Sequence, residues 1–303
     1  MNLSFCQLYI SRNTTFCSKF TMLEDIMSTP QRTPVYFLGI GGPNFINNTK
    51  HPAYQSLASI GEEITKVVKP SAVVVFSAHW QAGPTTLQIN AAEHPDLIYD
   101  FYGFPDEYYK IKYPYVGSTK VANKVSDKLR GEGMDVEKVE RGLDHGVWVG
   151  FLAAFDPQKN PLGVPIVQVS LFGSEDLEAH YRVGKALESL RDEGILIIGA
   201  GMTVHNLQDF RRSMSTGSTA PQSYSTTFDN ALKDAVETEP KIRKSELLSL
   251  MNREDGRQAH PTLDHILPMY VVVGAAGSSA GRRIWTMAER SLNWASYRFG
   301  DLD

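Results

Sequence analysis

The chain has 303 residues, 42% hydrophobic and 21% charged, the make-up of a globular protein with a substantial core. Its formal charge of −4 comes with no basic block, which argues against nucleic acid or an anionic membrane surface as partner. No apolar run approaches the roughly 20 residues that span a bilayer.

Both cysteines, Cys6 and Cys17, lie in the first twenty residues, which excludes a disulfide framework and a cysteine nucleophile in the body. That usage fits a reducing, cytoplasmic compartment. The first 23 residues hold no acid and carry Arg12 and Lys19. Two basic residues are few for a mitochondrial presequence, so residues 1–33 read as a disordered extension with mitochondrial targeting as the alternative. Residues 34–303 read as one domain, since no composition break or repeat divides them.

From Pro34 onward, strands and helices alternate. Val35–Leu38 is a short strand entering the glycine turn Gly39-Ile40-Gly41-Gly42-Pro43. Leu57, Ile60, Ile64 and Val67 mark one face of a helix. The β-branched run Val73-Val74-Val75-Phe76 predicts a buried strand that delivers His79 at its carboxyl end, where ligands gather in open α/β sheets. Val121, Val125 and Leu129 predict a second amphipathic helix, and Val164–Leu171 a third core strand. A helix bearing Val183, Leu187 and Leu190 turns at Asp192-Glu193-Gly194 into Ile195–Ile198, a strand leading through Gly199-Ala200-Gly201-Met202 to His205.

Residues 213–227, rich in Ser, Thr, Gly and Pro, read as a loop, followed by charged helices near 228–238 and 242–252. Thr262 is expected to cap a last helix kinked at Pro268, with His265 in its first turn, where the helix dipole disfavours imidazolium.

Familiar motifs are missing. There is no Gly-x-Ser-x-Gly elbow and no His-Glu-x-x-His helix, and Pro43 stands where a dinucleotide fingerprint needs its helix to begin. The chemistry therefore rests on histidine. His51, His94 and His180 sit in polar or turn-like segments and read as solvated. His79, His145, His205 and His265 sit where apolar elements end or glycine turns intervene, which suits metal ligation or proton transfer and equally a hydrogen-bonded structural histidine. They lie roughly sixty residues apart, so spacing alone does not bring them together. The rings of Tyr99, Phe101, Tyr102, Phe104, Tyr108 and Tyr109 offer flat surfaces for an aromatic substrate, or ordinary packing.

Six collinear segments then show a resemblance: Phe37-Leu38-Gly39-Ile40-Gly41-Gly42-Pro43, Ser77-Ala78-His79-Trp80, Asp100-Phe101-Tyr102-Gly103-Phe104-Pro105, Leu143-Asp144-His145-Gly146-Val147-Trp148, Gly199 through Leu207, and His260-Pro261-Thr262-Leu263-Asp264-His265. In this order they resemble the motifs of class III (LigB-type) extradiol ring-cleavage dioxygenases, nearest the DOPA 4,5-dioxygenase-like branch, from about Pro34 to Phe299.

The resemblance implies a three-layer α/β/α domain on a mostly parallel or mixed sheet and one divalent metal, Fe2+ for catalysis or Zn2+ as bound ion. It makes His79 and His265 metal ligands, His205 a proton-transfer group or further ligand, and His145 a second catalytic histidine. The partners it implies are dioxygen and a small aromatic diol, in a monomer or homodimer.

One position departs from the pattern. The family's first glycine turn carries a metal-binding histidine where this chain has Ile40, so a catalytically impaired homologue acting in binding or regulation is the alternative. A zinc hydrolase on the same histidines is a third reading, weakened because no carboxylate base is evident beside them.

Overall fold

The computed structural model describes residues 32–302. The expectations placed on Cys6, Cys17 and nearly all of the N-terminal extension fall outside those residues. The elements follow the chain as Val35–Gly39 (β1), Pro52–Glu63 (α1), Ala72–Gln81 (β2), Thr86–Asn90 (β3), Thr119–Gly131 (α2), Asp135–Val139 (β4) and His145–Ala154 (α3). The middle supplies Ile166–Leu171 (β5), Leu177–Leu187 (α4), Ile195–Gly201 (β6), Val204–His205 (β7), Leu207–Ser215 (α5), Ser223–Glu237 (α6) and Pro240–Leu250 (α7). Gly256–Ala259 (α8), Leu267–Ala276 (α9), Gly281–Trp285 (β8), Ala288–Glu289 (β9), Leu292–Asn293 (β10) and Ser296–Phe299 (β11) complete it.

Eight strands form one mixed sheet in the order β4-β3-β5-β2-β6-β1-β11-β8, and β7-β10-β9 form a small antiparallel sheet beside it. The central strands β5, β2, β6 and β1 are mutually parallel. Such strands are covered on both faces, which is why they read as continuous apolar runs. Side chains alternate across β2: Val74 and Phe76 belong to the core on the side of α2, α4, α6, α7 and α9, while Val73 and Val75 belong to the core on the side of α1 and α3. The expected three-layer α/β/α domain is therefore what forms. No helix among the described residues is long and apolar enough to cross a membrane.

Several local expectations are corrected. The α1 stripe ends early because Ile64–Val68 continues as a π turn, whose extra residue rotates the face and leaves Val67 50% exposed. The 213–227 loop shrinks, since α5 runs to Ser215 and α6 starts at Ser223. Pro268 does not kink the last helix; it stands in the first turn of α9, where its missing N–H costs nothing. Thr262 bonds Asp264 instead of capping a helix, and His265 lies in the turn before α9. His180 is buried, with Nδ1 donating to the Asp176 carbonyl at 2.6 Å and Nε2 accepting from the Phe172 amide at 3.2 Å. His94 is exposed, as expected.

Candidate active site

Three neighbouring strands of the sheet, β2, β6 and β1, end at one cavity of about 850 Å³. The pairing of β2 with β5 shifts register between Phe76 and Gln81, a bulge that takes Ser77–Trp80 out of the β5 ladder, and His79 lines the cavity. From β6 the chain passes Met202 and Thr203 into β7, whose Leu292 pairing fixes the backbone of His205. His145 opens α3 directly after Asp144.

Asp144 is fully buried and accepts from Ser77 Oγ at 2.7 Å, Gln168 Nε2 at 2.5 Å and Arg141 at 3.3 Å, tying the start of α3 to β2 and β5. Gly146 follows because a Cβ there would lie 2.6 Å from Ser77 Oγ and 2.8 Å from the His79 ring. Gly201 does the same for the last histidine: a Cβ would meet the His265 carbonyl at 2.3 Å, the carbonyl that accepts the Met202 amide.

The four histidines meet. The His79 and His145 rings are 4.0 Å apart edge to face, His79 and His265 5.2 Å, and His205 stacks on His265 at 3.4 Å with planes 12° apart. Three of them have a carboxylate behind Nδ1. Asp264 accepts from His265 Nδ1 at 2.8 Å and Asp100 from His145 Nδ1 at 2.8 Å, with the His79 Nδ1 at a longer 3.5 Å from Asp100. A carboxylate only accepts, so His145 and His265 donate from Nδ1 to theirs, which leaves Nε2 of each as the other ring nitrogen, while His79 faces Asp100 at the longer distance only. No hydrogen bond ties either ring nitrogen of His205 among the described residues.

The electrostatics agree with this wiring. Burial alone would raise Asp100, but hydrogen bonds from His145 and His79 hold it well below the ordinary carboxylate range. Asp264 is likewise lowered, against burial, by the bond from His265. Burial pulls His79 down, yet the hydrogen bond to Asp100 and the nearby carboxylate charges leave it raised. His205 falls well below 6.5 through burial and then through His265, and His265 is lowered by burial against the pull of Asp264. The low His265 value thus comes from burial and not from a helix dipole, because its residue precedes the helix.

The opposite wall is apolar. Ile40, only 5% exposed, lies against Gly150 of α3, and Trp294 stacks on Phe45 at 5.2 Å with planes 24° apart. His51, expected to be solvated, caps α1 through Nδ1 and faces Glu289 at 3.3 Å from Nε2, on the cavity wall. The carboxylates were the part missed. Asp100 stood in a segment noted for its rings and Asp264 directly before His265, so an acid within the quoted motifs was the available signal. The expectation that no carboxylate stands beside the histidines is corrected: two do, but both are occupied as acceptors. Among the described residues, His79, Asp100 and His145 bring ligand atoms within 4.8 Å of one another, close enough to hold a metal ion.

The comparisons point one way. The family described as the catalytic LigB subunit of aromatic ring-opening dioxygenase matches residues 34–299. An Escherichia coli (strain K12) protein named 4,5-DOPA dioxygenase extradiol is 32% identical over 256 residues, 84% of this chain and 89% of that protein. A Beta vulgaris protein of the same name is 33% identical over 272 residues, 87% of this chain and 95% of its own. The crystal structure of an uncharacterized Escherichia coli K12 protein superposes with a TM-score of 0.70 at 26% identity, covering 89% of this chain and all of that one.

Proposed function

The chain belongs to the family of the catalytic LigB subunit of aromatic ring-opening dioxygenases, and on that premise we propose that it cleaves a catechol by the extradiol route. The bond broken joins a hydroxyl-bearing carbon to its neighbour outside the diol. One catechol and one dioxygen give one muconic semialdehyde-type product, with no outside reductant. The observation that carries this reading is the convergence of His79, His145, His205 and His265 on one cavity with aromatic walls.

The donor set fits a divalent ion. His79 and His265 offer Nε2 lone pairs with a carboxylate behind each Nδ1, the arrangement that orients metal-bound imidazoles. His205 stacks parallel to His265, so the two lone pairs do not converge on one point, and His205 stays free for proton transfer. When bound, the ion, Fe2+ for catalysis and Zn2+ as an alternative occupant, supplies the centre where catechol and dioxygen exchange electrons.

The protein does the rest. His205, kept neutral by burial, takes the second phenolic proton and returns it later in the cycle. His145 presents Nε2 to the substrate or to oxygen. Phe101, Phe104 and Trp294 give the ring flat neighbours. Arg211 and Glu289 line the same cavity and offer opposite charges to a zwitterionic side chain such as that of DOPA, the substrate named for the relatives.

The test is oxygen uptake after anaerobic Fe2+ loading. DOPA should consume one dioxygen per catechol and lose its aromatic absorbance, with a lower KM than a catechol lacking the amino acid group. No uptake across a catechol panel by folded protein overturns the proposal. One observation favours the impaired-homologue reading: Ile40 fills the β1 end of the cavity where the family pattern has a ligand. Under that reading wild type takes up no ion and Ile40→His does.

A further inference from the structure

Asp100 serves two imidazoles with one carboxylate. Oδ1 accepts from the backbone N–H of His145 at 2.9 Å and from its ring Nδ1 at 2.8 Å, while Oδ2 faces Nδ1 of His79 at 3.5 Å. We propose that Asp100 is a positioning residue that acts as a shared tautomer lock: it keeps the proton on Nδ1 of both rings, so that both Nε2 lone pairs face the cavity. This rests on reading His79 as a metal ligand and His145 as a group that meets the substrate.

The competing role is direct ligation, since the three side chains are close enough to surround an ion. Two features favour the lock. Oδ1 already takes two N–H bonds from His145, one of them from a main-chain amide fixed in the first turn of α3. An ion drawn to the Nδ1 atoms would displace the protons that Asp100 now accepts. Carboxylates behind ligating histidines are a general device, and Asp264 behind His265 repeats it within this cavity.

The lock makes a prediction that simple support does not. In Asp100→Asn the amide oxygen must stay on the His145 side, because a main-chain N–H can only donate. The Asn NH2 then faces His79 Nδ1, and a donor there forces the His79 proton onto Nε2, masking the lone pair the ion needs. Asp100→Ala removes the lock without imposing the wrong tautomer.

The experiment measures Co2+ and Fe2+ affinity of the full chain with each variant, with 15N shifts of the His79 ring in metal-free protein. The expected order is wild type, then Asp100→Ala about 10- to 100-fold weaker, then Asp100→Asn weaker again by about tenfold. His79 should read Nδ1–H in wild type and Nε2–H in Asp100→Asn. An Asn variant that binds as well as or better than Ala, or an unchanged His79 tautomer, overturns the proposal. If wild type binds no ion but the tautomer switches as stated, the lock stands and the metal reading beneath it fails.

Discussion

β1 and β2 flank β6 on either side, run parallel to it, and end at the same cavity, yet they arrive there differently. β2 leaves its ladder in a bulge and presents His79, whose ring is held by Asp100 and wedged against Gly146. β1 stays regular to Gly39 and presents Ile40, buried against Gly150, with Gly41 tucked under the Trp294 ring. Between them β6 leads to His205, which packs on His265. An apolar side chain at a strand end needs only a place to be buried, which is worth about 1.5–3 kcal/mol for an isoleucine. An imidazole that must offer one particular lone pair needs a bulge, a carboxylate partner and a glycine neighbour. Under the proposed function the β2 side would carry the chemistry, and the β1 side packing and substrate shape.

The largest expected effect tests the strand between them. His205→Gln should lower kcat by about 10²- to 10⁴-fold, the usual range for a lost proton-transfer group, while metal content stays near wild type. Loss of the ion together with the rate would make His205 a ligand and shift part of the metal site onto β6.

Acid stability probes the segment that carries His265. His260, four residues after Gly256, is fully buried, donates from Nε2 to the Thr203 carbonyl at 2.8 Å, and has no partner for Nδ1 among the described residues. Burial pushes its pKa down to about 4 from 6.5. The unfolded chain then takes up a proton that the folded chain refuses, so stability is full above about pH 6.5, falls as pH drops, and levels near pH 4. The loss is about 3 kcal/mol by the pKa difference. Denaturant unfolding of wild type and His260→Gln across that window should show the wild-type slope shrinking in the variant; parallel curves would remove this group from the account.

The smallest effect sharpens the contrast itself. Ile40→His should tighten Fe2+ or Co2+ binding by about 10- to 100-fold, read by competition with a chelator, if the β1 end lacks nothing but its ligand. Unchanged affinity would mean that the β1 wall cannot present an imidazole to the ion.

Much of this was legible in the sequence because buried parallel strands announce themselves as β-branched runs. The strands carrying His79 and leading to His205 were found that way, and the α2 stripe of Val121, Val125 and Leu129 is buried as its spacing predicts. His145 and His265 stood out by their places at element ends and glycine turns, and the resemblance gave them their roles. What stayed hidden depends on partners distant in the chain. The β2 bulge exists only relative to β5, and the short strands β10 and β11 are fixed by ladders to β7 and β1, far back in the chain. His180 looked solvated because its sequence neighbours are polar, but in α4 they face outward while the ring turns inward onto Phe172. Asp100 was read with its aromatic neighbours, and nothing local shows that it reaches His145 forty-five residues on.

The central claim, that the β2 side holds an ion without help from Ile40, is tested most directly by metal stoichiometry. Wild type, His79→Ala and Ile40→Ala would be loaded anaerobically with Fe2+, desalted and assayed per chain. The account predicts one ion per chain in wild type and in Ile40→Ala, and near none in His79→Ala. A folded wild type that retains no ion, or a His79→Ala variant that retains a full one, would contradict it.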